Sequence, residues 1–427
     1  MIKKNKAIFR IIKMSFKNKI TGFWVFLMLL TSPFFHTYSQ GYQVNLQGQK
    51  QQAMGSAGTG LITDGAGLFF NPSTVVFLDE NSVNAAFTPT FANTTYLDKA
   101  TQKSYKTTSP FGTPFSFYGL FQLKEHAKLK LGLAAYTPFG STIMWEDNWI
   151  GRFAVTKLQL RSIFIQPTVS YRLADNLGIG AGLVISSGSV SLQKDIPIQF
   201  SDQTYASAEL SGSATSYGVN AGIYYEPNPK LSIGINYRSK IVMKVDDGQA
   251  IFNVPSSLDT SFPDGIFSSI LPLPQVITLG LGSKINSKLS FALDLNHVSW
   301  KAYDTLGFDY AQNTSTLEDT RSPRNYKNIV AIRFGSSYKV GKNLTLRGGF
   351  GFSLSPVQDG YVTPETPDGT RYNFTTGLSY EYNKHFSMDF SFLYVQVRRE
   401  DHNLETNLDG TFLTNVLSPG LGIIYKW

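Results

Sequence analysis

The chain has 427 residues, of which 42% are hydrophobic, 14% aromatic and only 16% charged; it has no cysteine, and its formal net charge is +8. The lack of cysteine excludes a disulfide-stapled domain, thiolate metal sites and a cysteine nucleophile. Seven bases and no acid lie in the first 40 residues, so the rest of the chain is near neutral and lacks the basic stripe that nucleic-acid binding needs.

Residues 1–40 carry Lys3, Lys4, Lys6, Arg10, Lys13, Lys17 and Lys19, followed by an apolar run from Phe23 to Phe35. That run falls short of the roughly 20 apolar residues a membrane-spanning helix needs. Thr37 and Ser39 then supply small residues at cleavage spacing. The order basic, apolar, small predicts a secretory signal peptide cleaved after Ser39 or Gln40. With no cysteine to acylate, a lipoprotein is excluded.

Residues 41–78 do not alternate. They hold Gly55, Gly58, Gly60, Gly65 and Gly67, then Phe69-Phe70-Asn71-Pro72. A dinucleotide-binding loop would need a strand before these glycines and a helix after them. Pro72 interrupts the place where that helix would run. A solvated linker is also a poor fit, because it has no use for Leu61, Ile62, Leu68, Phe69 and Phe70.

From residue 79 onward the period is two. In Leu231–Val245 the odd positions Leu231, Ile233, Ile235, Tyr237, Ser239, Ile241, Met243 and Val245 form one greasy face. Ser232, Gly234, Asn236, Arg238, Lys240, Val242 and Lys244 form the other. A helix would not produce this pattern, and the run is long for a soluble strand. Fourteen such segments are predicted, near 82–97, 114–124, 128–140, 153–173, 176–193, 214–226, 230–246, 274–285, 288–300, 326–340, 343–355, 371–382, 385–397 and 414–427. Short turns such as 173–178, 226–232, 285–290, 340–345 and 382–387 alternate with long connections near 98–113, 193–214, 246–273, 301–325, 356–371 and 397–413. The predicted fold is therefore all-β: a transmembrane antiparallel β-barrel of about 14 strands over 79–427, closed because lipid cannot satisfy a free sheet edge. A soluble sandwich or propeller would not need strands this long.

In the loop 246–273, Leu258, Phe262, Ile266, Phe267, Ile270 and Leu271 are spaced like the apolar face of a short helix broken at Pro263. Inward cations include Arg238, Lys240, Arg333 and Arg347, with Lys327 at a strand start. Histidines are few (His126, His297, His385 and His402 after the signal), and no Gly-x-Ser-x-Gly occurs. No enzyme activity, catalytic residue, metal site or cofactor is expected. The chain ends at Trp427 on the lipid-facing side of the last strand, which suits recognition by the barrel-assembly machinery. A monomer is expected.

The glycine segment ending in Phe69-Phe70-Asn71-Pro72, together with "YTPFG" (136–140), "LPLPQVITLGLG" (271–282), "LNHVSWKAYDTL" (295–306) and "LRGGFGFSLSPV" (346–357), resembles the FadL-type outer-membrane transporters of long-chain fatty acids and other hydrophobic compounds, toluene channels included. The likeness spans the chain after the signal, with Ser73 where the family motif Asn-Pro-Ala has Ala. It implies that residues 41–78 are an N-terminal hatch plugging a lumen that a barrel of this size leaves open. Gly55, Gly58, Gly60, Gly65 and Gly67 would then be packing and hinge positions, and Phe69, Phe70, Asn71 and Pro72 the seal. It also implies a kinked third strand opening a lateral gap, here at Thr137, Pro138, Phe139 and Gly140. The apolar residues Leu258, Phe262, Ile266, Phe267 and Ile270 would form an extracellular ligand groove. Lys327, in Tyr326-Lys327-Asn328, is carried over from the family pattern as a carboxylate partner, and Arg333 is a further candidate as an inward cation. The expected function is passive outer-membrane uptake of hydrophobic small molecules, long-chain fatty acids first or aromatic hydrocarbons, within outer-membrane lipid. A structural or adhesive barrel without transport is the competing reading, and it predicts neither hatch nor pocket.

Overall fold

The computed structural model describes residues 41–427 apart from Lys124; the proposed signal peptide lies outside the described residues. The first three barrel strands are β1 (Ser82–Phe87, resuming as Phe91–Asp98), β2 (Phe115–Gln122) and β3 (Leu129–Tyr136, resuming as Gly140–Met144). Then come β4 (Lys157–Ala174), β5 (Leu177–Gln199), β6 (Tyr205–Asn228) and β7 (Leu231–Arg238, resuming as Ile241–Asn253). The second half comprises β8 (Gly265–Leu273, resuming as Val276–Lys284), β9 (Leu289–Val298), β10 (Ile329–Lys339) and β11 (Leu344–Ser353). The last strands are β12 (Arg371–Glu381), β13 (Phe386–His402) and β14 (Asp409–Lys426).

Each strand pairs antiparallel with the next, and β14 returns to β1 through Ser82↔Lys426 and Phe91↔Leu417. The described residues therefore close a fourteen-strand barrel with no free end. Closure is what a hydrocarbon surrounding demands, since each unpaired peptide group there costs several kcal/mol.

The alternation works inside out. Leu231, Ile235 and Tyr237 on β7 are exposed, while Ser232 and Asn236 between them are buried. β13, β14 and β6 show the same arrangement, with Phe390, Phe392, Leu417, Leu421, Ile223 and Tyr225 exposed. A water-soluble strand would bury those residues; here they face lipid. Tyr425, Trp427 and Phe121 cluster at the end of the barrel where the chain stops. β5 and β6 are the longest strands, with 23 and 24 residues, and their upper halves carry polar outer residues such as Ser213 and Thr215.

The alternation in Leu231–Val245 hides one departure. The strand is broken at Ser239–Lys240, and beyond the break Ile241, Met243 and Val245 are buried while Val242 is exposed. The sequence placed all eight odd positions on one lipid face; the structure keeps only those up to Tyr237 there. The predicted apolar helix in 246–273 is also corrected: Gly265–Leu273 is the upper part of β8, paired with β7, and only Ser256–Leu258 makes a single 3-10 turn. Spacing of three and four mimicked a helix, whereas β pairing to Ile241–Asn253 decides the local structure.

Candidate functional site

Residues 41–78 contain only short helical turns: α1 (Gln49–Gln52), α2 (Gly67–Phe70) and a 3-10 turn over Pro72–Phe77. Their backbone is tied to inward side chains of the wall. On β9, Asp294 accepts the amides of Gly58 and Thr59 on one carboxylate oxygen, at 3.0 and 3.1 Å. On β10, Arg333 donates to Asn45 Oδ1 (2.9 Å) and to the Ser56 carbonyl (3.3 Å). Ser232 of β7 donates to the Gly60 carbonyl at 2.6 Å, and Thr375 of β12 accepts the Gly55 amide at 2.8 Å. Gln166 of β4 and Asn220 of β6 both donate to the Leu68 carbonyl, at 2.8 and 3.0 Å.

All nine residues of the predicted seal and packing set are buried. Gly55 has φ +70°, and a Cβ there would meet the Phe334 carbonyl at 2.6 Å and that of Phe350 at 2.7 Å. Both the conformation and the approach to the wall demand glycine. Asn71 bonds to the chain on both sides. Its amide nitrogen donates to the carbonyls of Thr59 (2.9 Å) and Ile223 (3.0 Å), while its oxygen accepts the Ser73 amide (3.2 Å) and caps the turn that starts at Pro72. Pro72 in turn offers its carbonyl to Ser170 Oγ at 2.6 Å.

The start of the segment meets the break in β3. Tyr136 pairs with Phe164 and Gly140 with Arg161, so β3 carries one residue more than β4 over this step. An extra residue bends a strand, and Pro138 has no N–H to give the ladder. Pairing of β3 with β2 ends at Ser116↔Tyr136. The freed backbone is taken up from inside: Val44 donates to the Pro138 carbonyl (2.8 Å), Gly140 to that of Tyr42 (3.2 Å), and Gln47 Nε2 to that of Thr137 (2.9 Å). Tyr42 packs edge-on against Trp300 with centroids 4.9 Å apart, and the Gly41 amide donates to Asp368 at 2.9 Å.

Beside this break lies a small cavity that is partly open to solvent. Phe69, Tyr136, Phe139, Phe164, Ile241 and Leu273 make it apolar, and Arg238 supplies its one cation. The Arg238 guanidinium lies over the Phe69 ring, 4.1 Å from its centroid. Its Nη1 is buried and has no hydrogen-bond partner among the described residues. The cavity thus joins apolar walls to one buried cationic donor that has no partner among the described residues.

The other predicted site residues are dispersed. Arg333 is engaged with the N-terminal segment, and Lys327 is exposed at the outer end of β10; neither borders the cavity. Of the predicted groove, Phe267 is buried in a cluster with Leu210, Val245 and Tyr310, with Phe262 packed against it. Ile266 and Ile270 are exposed, and Leu258 sits in the 3-10 turn. These five residues do not line one surface. Arg238 is one of four inward cations in the alternation pattern, and nothing in the sequence singles it out. Its neighbour Phe69 lies 169 positions away and meets it only through the fold.

An apolar-sided closed barrel whose bore holds its own N-terminal residues defines an integral outer-membrane transport barrel. The profile of the outer membrane protein transport family (OMPP1/FadL/TodX) matches residues 34–418, and the chain belongs to that family. It is a family of outer-membrane channels for hydrophobic compounds, not of enzymes. The long-chain fatty acid transport protein of Escherichia coli K12 is 23% identical over 411 residues, covering 84% of this chain and 88% of that protein. Outer membrane protein P1 of Haemophilus influenzae is 21% identical over 300 residues, 64% of each chain. Among solved structures, a Pseudomonas aeruginosa FadL homologue superposes with a TM-score of 0.79 at 19% identity, covering 90% of this chain and 99% of that one. The Pseudomonas putida toluene transporter TodX gives 0.71 at 17% identity, covering 89% and 98%.

Proposed function

We propose that this protein admits long-chain fatty acids, and that residues 41–78 act as the hatch of the channel. The observation that carries this reading is Arg238: a guanidinium held over Phe69 at the edge of an apolar cavity, with one donor unspent. A ligand carboxylate satisfies that donor while its chain occupies the cavity. An aromatic hydrocarbon would leave the donor unpaired, which favours the acid. Arg333 is committed to holding the hatch and Lys327 lies outside the cavity, so the carboxylate role passes to Arg238.

Passage needs the hatch to move. Phe69 belongs to the hatch and also walls the cavity, so a ligand pressing on it acts directly on the plug. The exit is sideways through Thr137–Gly140. There the wall is completed on the inside by Tyr42, Val44 and Gln47, and withdrawal of those residues uncovers the break. No step consumes energy; the gradient of ligand drives it. The test is binding of oleate to protein purified in detergent, alongside oleyl alcohol and toluene. Saturable oleate binding that weakens in Arg238→Gln, with oleyl alcohol unaffected, is the expected result. Equal binding of acid and alcohol by both proteins would remove the carboxylate site.

A further inference from the structure

We infer that the barrel wall has a second lateral opening, between β6 and β7, through which single-chain anionic amphiphiles dissolved in the outer leaflet enter the cavity. The inference rests on the reading of that cavity as a fatty-acid site, and it concerns entry, whereas the β3 break concerns exit.

The ladder between β6 and β7 is interrupted. Below, it runs from Asn228↔Leu231 to Asn220↔Arg238; above, it resumes at Ser211↔Gln249 and continues to Ser207↔Asn253. Residues 212–218 of β6 have no register partner on β7. At about 3.3 Å per residue this leaves roughly 20 Å of strand edge without a ladder. The lower lip is closed by two bonds. Ser239 N donates to the Val219 carbonyl at 3.0 Å, and Val219 N donates to Ser239 Oγ at 2.9 Å. A side-chain hydroxyl thus stands where a ladder carbonyl would be. β8 breaks at the same level, between Leu273 and Val276, where Pro274 can donate no ladder bond.

Above the lip, β7 passes behind β6 instead of beside it. The three buried side chains Ile241, Met243 and Val245 point at small residues on the inner face of β5 and β6. Met243 Sδ lies 3.4 Å from Ser186 Oγ, and a Cβ on Gly218 would stand 2.7 Å from Ile241. The overlap is held by aliphatic contact and not by a peptide ladder, so parting it separates three side chains and two hydrogen bonds instead of unzipping a sheet.

The opening leads into the cavity. Val219 is 46% exposed on the outside and also lines the cavity, together with Ser239 and Ile241. Its height suits an amphiphile. Going up β6, the outward residues change from Ile223, Ala221 and Val219 through Tyr217 to Thr215 and Ser213, which marks the boundary between hydrocarbon and headgroups. Unpaired peptide groups are tolerated at that level but not deeper. A fatty acid in the leaflet holds its carboxylate at the same boundary, and Arg238 is the residue immediately inside, adjacent in sequence to Ser239.

The chain has no cysteine of its own, so one engineered disulfide tests the opening. Gly218→Cys with Ile241→Cys staples β7 to β6 across it; Ala221→Cys with Tyr237→Cys, a registered pair in the lower ladder, is the control staple. Each protein is placed in vesicles preloaded with labelled oleate in the outer leaflet, and transfer to the lumen is compared before and after reduction. We expect the oxidised first variant to transfer at least fivefold more slowly than its reduced form, and the control to show no redox effect. Equal rates in both redox states, or an equal loss in the control, would overturn the opening. Failure of the wild-type protein to exceed protein-free vesicles would instead sink the fatty-acid reading on which it rests. Ile241→Ala, which needs no cross-link, should speed transfer about twofold to fivefold; an unchanged or slower rate counts against the opening.

Discussion

The wall and the chain it encloses satisfy their backbones in different ways. From β9 to β14 the peptide groups pair strand to strand in unbroken register, for instance over Leu289–Val298 against Ile329–Tyr338. Residues 41–78 have almost no ladder; their peptide groups end on Asp294, Arg333, Thr375, Ser232, Gln166 and Asn220. A ladder resists separation along its whole length, whereas side-chain ties can be released one at a time. This difference supports the proposed reading of a fixed wall around a movable plug, and it lies in the hydrogen bonding more than in the packing.

The largest effect is expected from removing the enclosed part. Deleting 41–72, with the signal peptide kept for export, should leave a barrel that still folds, because β1 to β14 pair without those residues. Single-channel recording in planar bilayers should then show a permanently conducting pore where the full chain shows a closed one. Unchanged conductance would mean that the segment does not seal the bore.

Next in size is the cavity between the two parts. Replacing Arg238 by Gln removes a charged donor from a ligand carboxylate, an interaction of about 1.5–3 kcal/mol, or roughly tenfold to a hundredfold in Kd. Isothermal titration with oleate and with oleyl alcohol separates loss of this contact from loss of the cavity, since only the acid should weaken. A smaller effect is expected from Asp294→Ala. It removes the acceptor of the Gly58 and Thr59 amides but leaves the other ties, so exchange of peptides spanning 55–62 should quicken by about tenfold while the ladder of β9 with β10 keeps its protection. Equal acceleration in both places would show that the two parts do not open independently.

The two parts also differed in how far the sequence revealed them. Wall strands declare themselves because each needs an apolar outer row and a small or polar inner row, and that requirement is local. Fourteen alternating runs were therefore visible, with their short turns. The fold also hides what alternation cannot encode. Leu231–Val245 alternates apart from Ser239 and Val242, yet the strand breaks at Ser239–Lys240 and its upper half moves inside β6; the odd positions keep their direction and exchange lipid for Gly188, Gly212 and Gly218 as neighbours. The apolar residues of 246–273 carried a helical spacing that pairing with β7 overrode. The site was least legible of all, since nothing in the order Asn-Tyr-Arg-Ser at 236–239 marks Arg238 as the cation that meets Phe69.

That last point fixes the smallest expected effect. Lys327 and Arg333 have the charge a carboxylate wants, but the fold gives them different work. Arg333 is 4% exposed and bound to Asn45 and Ser56, so its replacement disturbs the enclosed segment and does not report on ligand directly. Lys327 is exposed at the outer end of β10, where charge is screened and a single contact is worth little. Lys327→Gln should therefore change the Kd for oleate by less than about twofold in the titration used for Arg238→Gln. A loss as large as that of Arg238→Gln would place the carboxylate at the barrel mouth instead of over Phe69, and the ligand's path would begin among the loops and not in the wall.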